Sequence, residues 1–178
     1  MKTILAPVDF SGVSQRVVEV AAELATAVGG RVVLLHLLRE SQVVTDRYVD
    51  AATFDELAAA LEAAADRQLS EFQEALEKKS VTVQQLRLIG YPWEDIVLQA
   101  QKISADYIVI GSHGHTAFYD LILGSTSSAV LKRATCPVIV VPPLKKHPRG
   151  ASSPEPGKTT CITRAGGATT KADATPVL

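Results

Sequence analysis

The stretch DYIVIGSHG, Asp106 to Gly114, decides how the rest of the chain is read. Tyr107 to Ile110 is apolar at every position without alternation, the pattern of a parallel strand buried on both faces. Gly111 and Gly114 follow, so the chain leaves the strand through a sharp turn whose backbone N–H groups can approach an anion that a Cβ would hold away. After nine more residues, His115 to Leu123, comes Gly124-Ser125-Thr126-Ser127. It reads as a helix start, with free N–H groups, a positive dipole end and three hydroxyls as further donors. Either glycine alone is an ordinary strand end or helix start. Their spacing behind a buried strand is what outlines a phosphate cradle.

Outward from this centre, similar apolar runs occur at Thr3 to Val8, Arg31 to Leu38, Val81 to Leu88 and Val138 to Val141, making five strands in all. Between them lie helical stripes. The first follows Ser14 and ends at Gly29-Gly30. The second carries Leu57, Leu61, Ala65, Leu69, Phe72 and Leu76 and starts at Thr53, where Thr53-Phe54-Asp55-Glu56 reads as a capping box. A third begins at Pro92, and a short fourth runs from Ser125 to Arg133, ahead of Cys136-Pro137.

Strict alternation of strand and helix predicts an α/β fold, an open five-stranded parallel sheet with right-handed crossovers and helices on both faces. The two common open versions are flavodoxin-like and Rossmann-like windings, and the order preferred is 3-2-1-4-5. Strands 1 and 4 then lie side by side where the winding reverses, and the crevice at their carboxyl ends is the ligand site, with Asp9 facing Gly111. A carboxylate just past the end of strand 1 suits a sugar hydroxyl, or it caps the turn at Ser11-Gly12.

Composition narrows the partners. Lys and Arg total 18 against 19 Asp and Glu, so the broad positive field of a nonspecific nucleic-acid binder is missing. Cys136 and Cys161 lack C-x-x-C spacing, and no apolar run approaches bilayer length, so a cytoplasmic protein away from membranes is expected. From Leu144 the chain turns to Pro, Gly, Ser, Thr, Ala and Lys. The expectation is one domain over 1–143 and a disordered tail over 144–178. Residues Glu40 to Ala52 read as a loop long enough to lie over a site.

The spacing Gly111-x2-Gly114-x9-Gly124-Ser125 matches neither a P-loop nor a dinucleotide fingerprint. It resembles the G-x2-G-x9-G-(S/T) signature of the ATP-binding branch of the universal stress protein family. The likeness extends over roughly 142 residues, through ILAPVDFS, VVLLHLL, the Gly90-to-Pro92 turn, DYIVIGSHG and CPVIVVP. It implies a Rossmann-like fold of the adenine nucleotide alpha hydrolase kind, and ATP, with Mg held through its phosphates, as the ligand of a stress-response regulator. By matching position, Ala6, Pro7, Val8 and Leu37 would form the adenine slot and Asp9 would hold the ribose, with Gly111 against it. Gly114, Gly124, Ser125 and Thr126 would contact phosphates, with Ser112 and His113 in the turn. A homodimer through the edge of strand 138–141, whose apolar residues need cover, also fits the family.

Enzymatic turnover is not expected. Fast phosphoryl transfer needs cationic neutralisation of the phosphates, and Gly111 to Thr126 contains no Lys or Arg. A slow Mg-dependent ATPase and a nucleotide-free adaptor are the competing readings. A phospho-accepting receiver domain fails, since it needs an acidic pair after strand 1, an Asp after strand 3 and a Lys after strand 5. This chain has Asp9, Leu88-Ile89-Gly90 and Pro142-Pro143 there. His113 and His115 read as solvent-facing loop histidines, His36 as a core histidine, Cys136 as a small buried thiol and Trp93 as part of a helix's packed face.

Overall fold

A computed structural model describes residues 1–38, 51–113 and 123–143. Its strands are β1 (Lys2–Val8), β2 (Gly30–Leu38), β3 (Thr82–Ile89), β4 (Tyr107–Gly111) and β5 (Val138–Val141). They alternate with α1 (Ser14–Val28), α2 (Ala51–Glu77), α3 (Pro92–Lys102) and α4 (Ser125–Arg133). All strands pair in parallel, in the order β3-β2-β1-β4-β5. This is the order preferred from the sequence, the second of the two windings that the alternation of elements allows.

The period of two along each strand divides the core between the two faces. Ile4, Ala6 and Val8 of β1 join Val32 and Leu34 of β2 under α1 and α2, with Val17, Leu69 and Leu76. Leu5, Val33, Leu35, Ile108 and Ile110 face the other way, under Ile96 of α3 and Val130 of α4. Central strands covered twice must be apolar at consecutive positions. This is why IVIG carries no alternation.

Helix ends follow the local chemistry. Gly29 takes a left-handed φ of 61° and returns its N–H to the Ala25 carbonyl, closing α1. Pro92 opens α3, while the Asp95 carboxylate accepts the N–H of Tyr91 at 2.7 Å. The capping-box reading of Thr53 is corrected: α2 is already helical at Ala51. So is the apolar stripe at Leu61, which is 45% exposed. The 27-residue α2 is about 40 Å long, against roughly 26 Å for the eight residues of β3. Arg87, near the carboxyl end of β3, meets Asp66 and Glu62.

Trp93 is half-buried, with the Arg133 guanidinium 4.5 Å from its ring centroid, pinning α3 to α4. Cys136 is half-buried in the α3–α4 core, and burial raises its thiol pKa. The loop expectation for 40–52 falls mostly, and the 144–178 tail wholly, outside the described residues.

Candidate functional site

The winding reverses between β1 and β4. β1 and β4 are paired at Ile4↔Tyr107 and Leu5↔Ile108, below their carboxyl ends, and each strand runs on three residues further, to Val8 and Gly111. Carried forward, that register sets Asp9 beside Ser112 and brings the turn after β1 next to the turn after β4.

The turn after β1 is held by its own side chains. Asp9 Oδ1 accepts from the Ser11 N–H at 3.0 Å, the Ser11 hydroxyl at 2.6 Å and the Ser14 hydroxyl at 3.0 Å. The Ser14 hydroxyl in turn accepts the Asp9 N–H at 3.3 Å. The capping role weighed for Asp9 is thus realised through one of its oxygens, while the residue as a whole stays exposed to solvent. Phe10 adopts a left-handed φ of 61°. Sequence reasoning missed this bend and the part played by Ser11 and Ser14. The available signal was the spacing of Asp9, Ser11 and Ser14, two and three residues apart, ahead of an apolar stripe.

The turn after β4 is built against that one. A Cβ on Gly111 would lie 2.5 Å from Val13 Cγ1 and 3.2 Å from the His113 carbonyl oxygen, so glycine is required there by packing. The Ser112 N–H donates to the Val141 carbonyl, and the Ser112 carbonyl accepts the Gly124 N–H, both at 2.7 Å. His113 Nδ1 lies 2.8 Å from the Ser112 hydroxyl, on a half-buried ring, which replaces the solvent-facing histidine expected at 113. Gly114 and His115 fall outside the described residues.

Gly124 is the N-cap of α4, with extended φ and ψ of −68° and 160°, and its carbonyl accepts the first helical bond from Ser128. Helix geometry therefore leaves the N–H groups of Ser125, Thr126 and Ser127 without intrahelical partners. Ser125 is exposed and Thr126 half-buried. Ser127 departs from expectation. It is 4% exposed, and its hydroxyl donates to the Gly111 carbonyl at 2.6 Å, so it ties α4 to the end of β4 instead of offering its proton to a ligand.

Of the residues expected in the adenine slot, most have buried side chains. Ala6 and Val8 point into the core on the α1–α2 face and Pro7 is buried, because β1 is the central strand and is covered on both faces. Leu37 is the one expected slot residue left half-exposed, at the edge of the opposite core. Behind the turn, His36 is 7% exposed with Nδ1 2.9 Å from the Val8 carbonyl, and its ring centroid is 4.3 Å from that of Phe10. Burial pushes its pKa below the ordinary 6.5, against the opposing effects of the Val8 bond and the Asp9 charge, while the Arg87 charge lowers it further.

Among the described residues, no group of three or more His, Cys, Asp or Glu stands together to hold a metal ion, and no buried side-chain N or O lacks a hydrogen-bond partner. No described helix is long and apolar enough to cross a membrane.

Residues 1–142 match the Universal stress protein family. Universal stress protein A homolog 1 of Coxiella burnetii is 32% identical over 140 residues, covering 79% of this chain and 95% of that protein. The solved structure of MJ0577, a universal stress protein of Methanocaldococcus jannaschii, superposes with a TM-score of 0.69 at 30% identity, over 79% of this chain and 95% of the other. A universal stress protein from Archaeoglobus fulgidus, solved in complex with dAMP, superposes with a TM-score of 0.53 at 25% identity, over 79% of this chain and 97% of that one.

Proposed function

The chain belongs to the universal stress protein family, and on that premise we propose that it is an ATP-binding regulatory protein whose nucleotide sits between the carboxyl ends of β1 and β4. One observation carries this reading. At the reversal of the winding, the Asp9 turn and the Gly111-to-His113 turn stand side by side, and the free N–H groups of α4 open at the end of the second. The Archaeoglobus fulgidus relative solved with dAMP supports an adenine nucleotide as the ligand class.

The donors present suit a phosphate group. Ser125 and Thr126 would supply backbone N–H groups and hydroxyls, Gly124 a close backbone approach, and Gly114 a second one. Asp9 would accept from the ribose while its Oδ1 keeps the turn closed, with Gly111 and Ser112 forming the floor. Leu37 would flank the base. Bound Mg2+ would add charge neutralisation, held by phosphate oxygens and these hydroxyls.

The role proposed is regulatory: ATP occupancy changes the conformation offered to a protein partner. The segment Gly111 to Thr126 offers no Lys or Arg to neutralise a transferring phosphoryl group, which favours retention over turnover. The chain would act in the cytoplasm as a homodimer joined at β5.

Nucleotide released on denaturing the purified protein, identified by chromatography, tests the reading. Adenine nucleotide at near-stoichiometric yield supports it. Phosphate release above a no-protein blank would move it to the slow ATPase, and a protein that neither carries nor takes up nucleotide would be the adaptor.

A further inference from the structure

Phe10 and His36 hold a relationship that nucleotide contact alone does not account for. A residue with a Cβ enters the left-handed region at a steric cost, and Phe10 does so one residue after Asp9. Its ring lies 4.3 Å from His36 at 34° and 6.1 Å from Phe72 of α2, centroid to centroid. The stack offsets the strain by fixing the ring under α2, so the backbone must bend to reach it. His36 is itself fixed. The Val8 carbonyl can only accept, so Nδ1 carries the proton of that 2.9 Å hydrogen bond, and it grips the last carbonyl of β1.

Both ends of the Asp9 peptide segment are therefore clamped, Val8 by the His36 ring and Phe10 by the stack on it. We propose that Phe10 and His36 form a positioning pair for the nucleotide crevice, setting the left-handed bend that aims Asp9 and seats Val13 against Gly111. This rests on the nucleotide reading given above. The pair reaches both walls of the crevice at once, because Ser14 closes on Asp9 Oδ1 while Val13, in the same turn, packs on the end of β4. Neither residue is assigned a contact with ligand.

Glycine and alanine at position 10 separate the effect of the bend from that of the ring. Both lack the ring, but glycine enters the left-handed region without strain and alanine does not. The full chain is emptied of nucleotide and titrated with ATP by calorimetry, and the Ser11 and Ser14 amides are followed by hydrogen exchange, with circular dichroism as the check on folding. Phe10→Ala is expected to weaken ATP about tenfold and to speed Ser11 exchange, whereas Phe10→Gly stays nearer to wild type in both. At position 36, His36→Asn keeps a donor for the Val8 carbonyl and should protect Ser11 better than His36→Leu. Equal loss in the alanine and glycine variants, or no change in either affinity or exchange, overturns the proposal. Should His36→Leu fail to fold, the position-10 comparison still decides. If wild-type protein takes up no ATP, the nucleotide reading fails, and the ranking of Ser11 exchange rates alone then upholds or overturns the positioning pair.

Discussion

Val13 packs on Gly111 so closely that a Cβ there would lie 2.5 Å from its Cγ1. The turn that follows β1 and the end of β4 are thereby one packed unit. Asp9, Phe10, Val13 and Ser14 cannot move without disturbing Gly111, and Gly111 is further tied to α4 through Ser127. The nucleotide proposed to bind between the two strand ends would meet walls already set against each other.

Gly111→Ala is expected to destabilise the protein by about 1–3 kcal/mol through overpacking. In a Val13→Ala background the added methyl finds room, so the same substitution should cost less. Urea unfolding of the two single variants and the double variant measures the coupling. Strict additivity would mean that Val13 is not what Gly111 accommodates.

Ser127→Ala removes the donor to the buried Gly111 carbonyl and should cost about 1–3 kcal/mol, the penalty for an unsatisfied buried acceptor. ATP affinity should change little, because the hydroxyl faces inward. A large loss of affinity at unchanged stability would return Ser127 to the phosphate set.

The histidine gives a pH signature. Burial, the largest cause, holds the His36 pKa below 6.5, so above pH 6.5 the ring is neutral in both folded and unfolded states and its contribution is full. As pH falls below 6.5 the unfolded chain takes up the proton first, and stability drops until the lowered folded pKa is passed. Subtracting the His36→Asn pH–stability curve from that of wild type should isolate a rise in stability with pH below 6.5. A flat difference would show that the burial of His36 does not set its proton affinity.

Strand β5 is a four-residue edge whose Val138, Ile139 and Val140 are only half-buried. Ile139→Lys should convert the proposed homodimer to monomer by light scattering while circular dichroism stays native. An unchanged molar mass would exclude this edge as the interface.

The parallel sheet was legible because it depends on a coarse feature, the alternation of unbroken apolar runs with helical stripes, which flavodoxin-like and Rossmann-like windings share; the order 3-2-1-4-5 was a preference between those two. The place where the winding reverses, between β1 and β4, follows from that order. Side-chain direction was less legible. Nothing in Gly124-Ser125-Thr126-Ser127 says which hydroxyl turns inward, and helix geometry aims Ser127 at the end of β4. Ala6 and Val8 read as slot residues by position, yet a central strand covered on both faces commits them to core. Leu61 continued the spacing of the stripe, yet it is 45% exposed. Phe10 carries no sequence mark of a left-handed bend, and the rings it packs against, His36 and Phe72, are distant along the chain. Gly29, by contrast, was readable as a helix stop because glycine suits that conformation by itself.

The most direct test of nucleotide binding is a calorimetric titration of ATP into protein emptied of nucleotide, run beside a Gly114→Val variant. Wild type should bind saturably, and the variant should lose affinity with its circular dichroism intact, because a branched side chain would obstruct the close backbone approach proposed for Gly114. Absence of binding at millimolar ATP, or a Gly114→Val protein that binds as well as wild type, would contradict it.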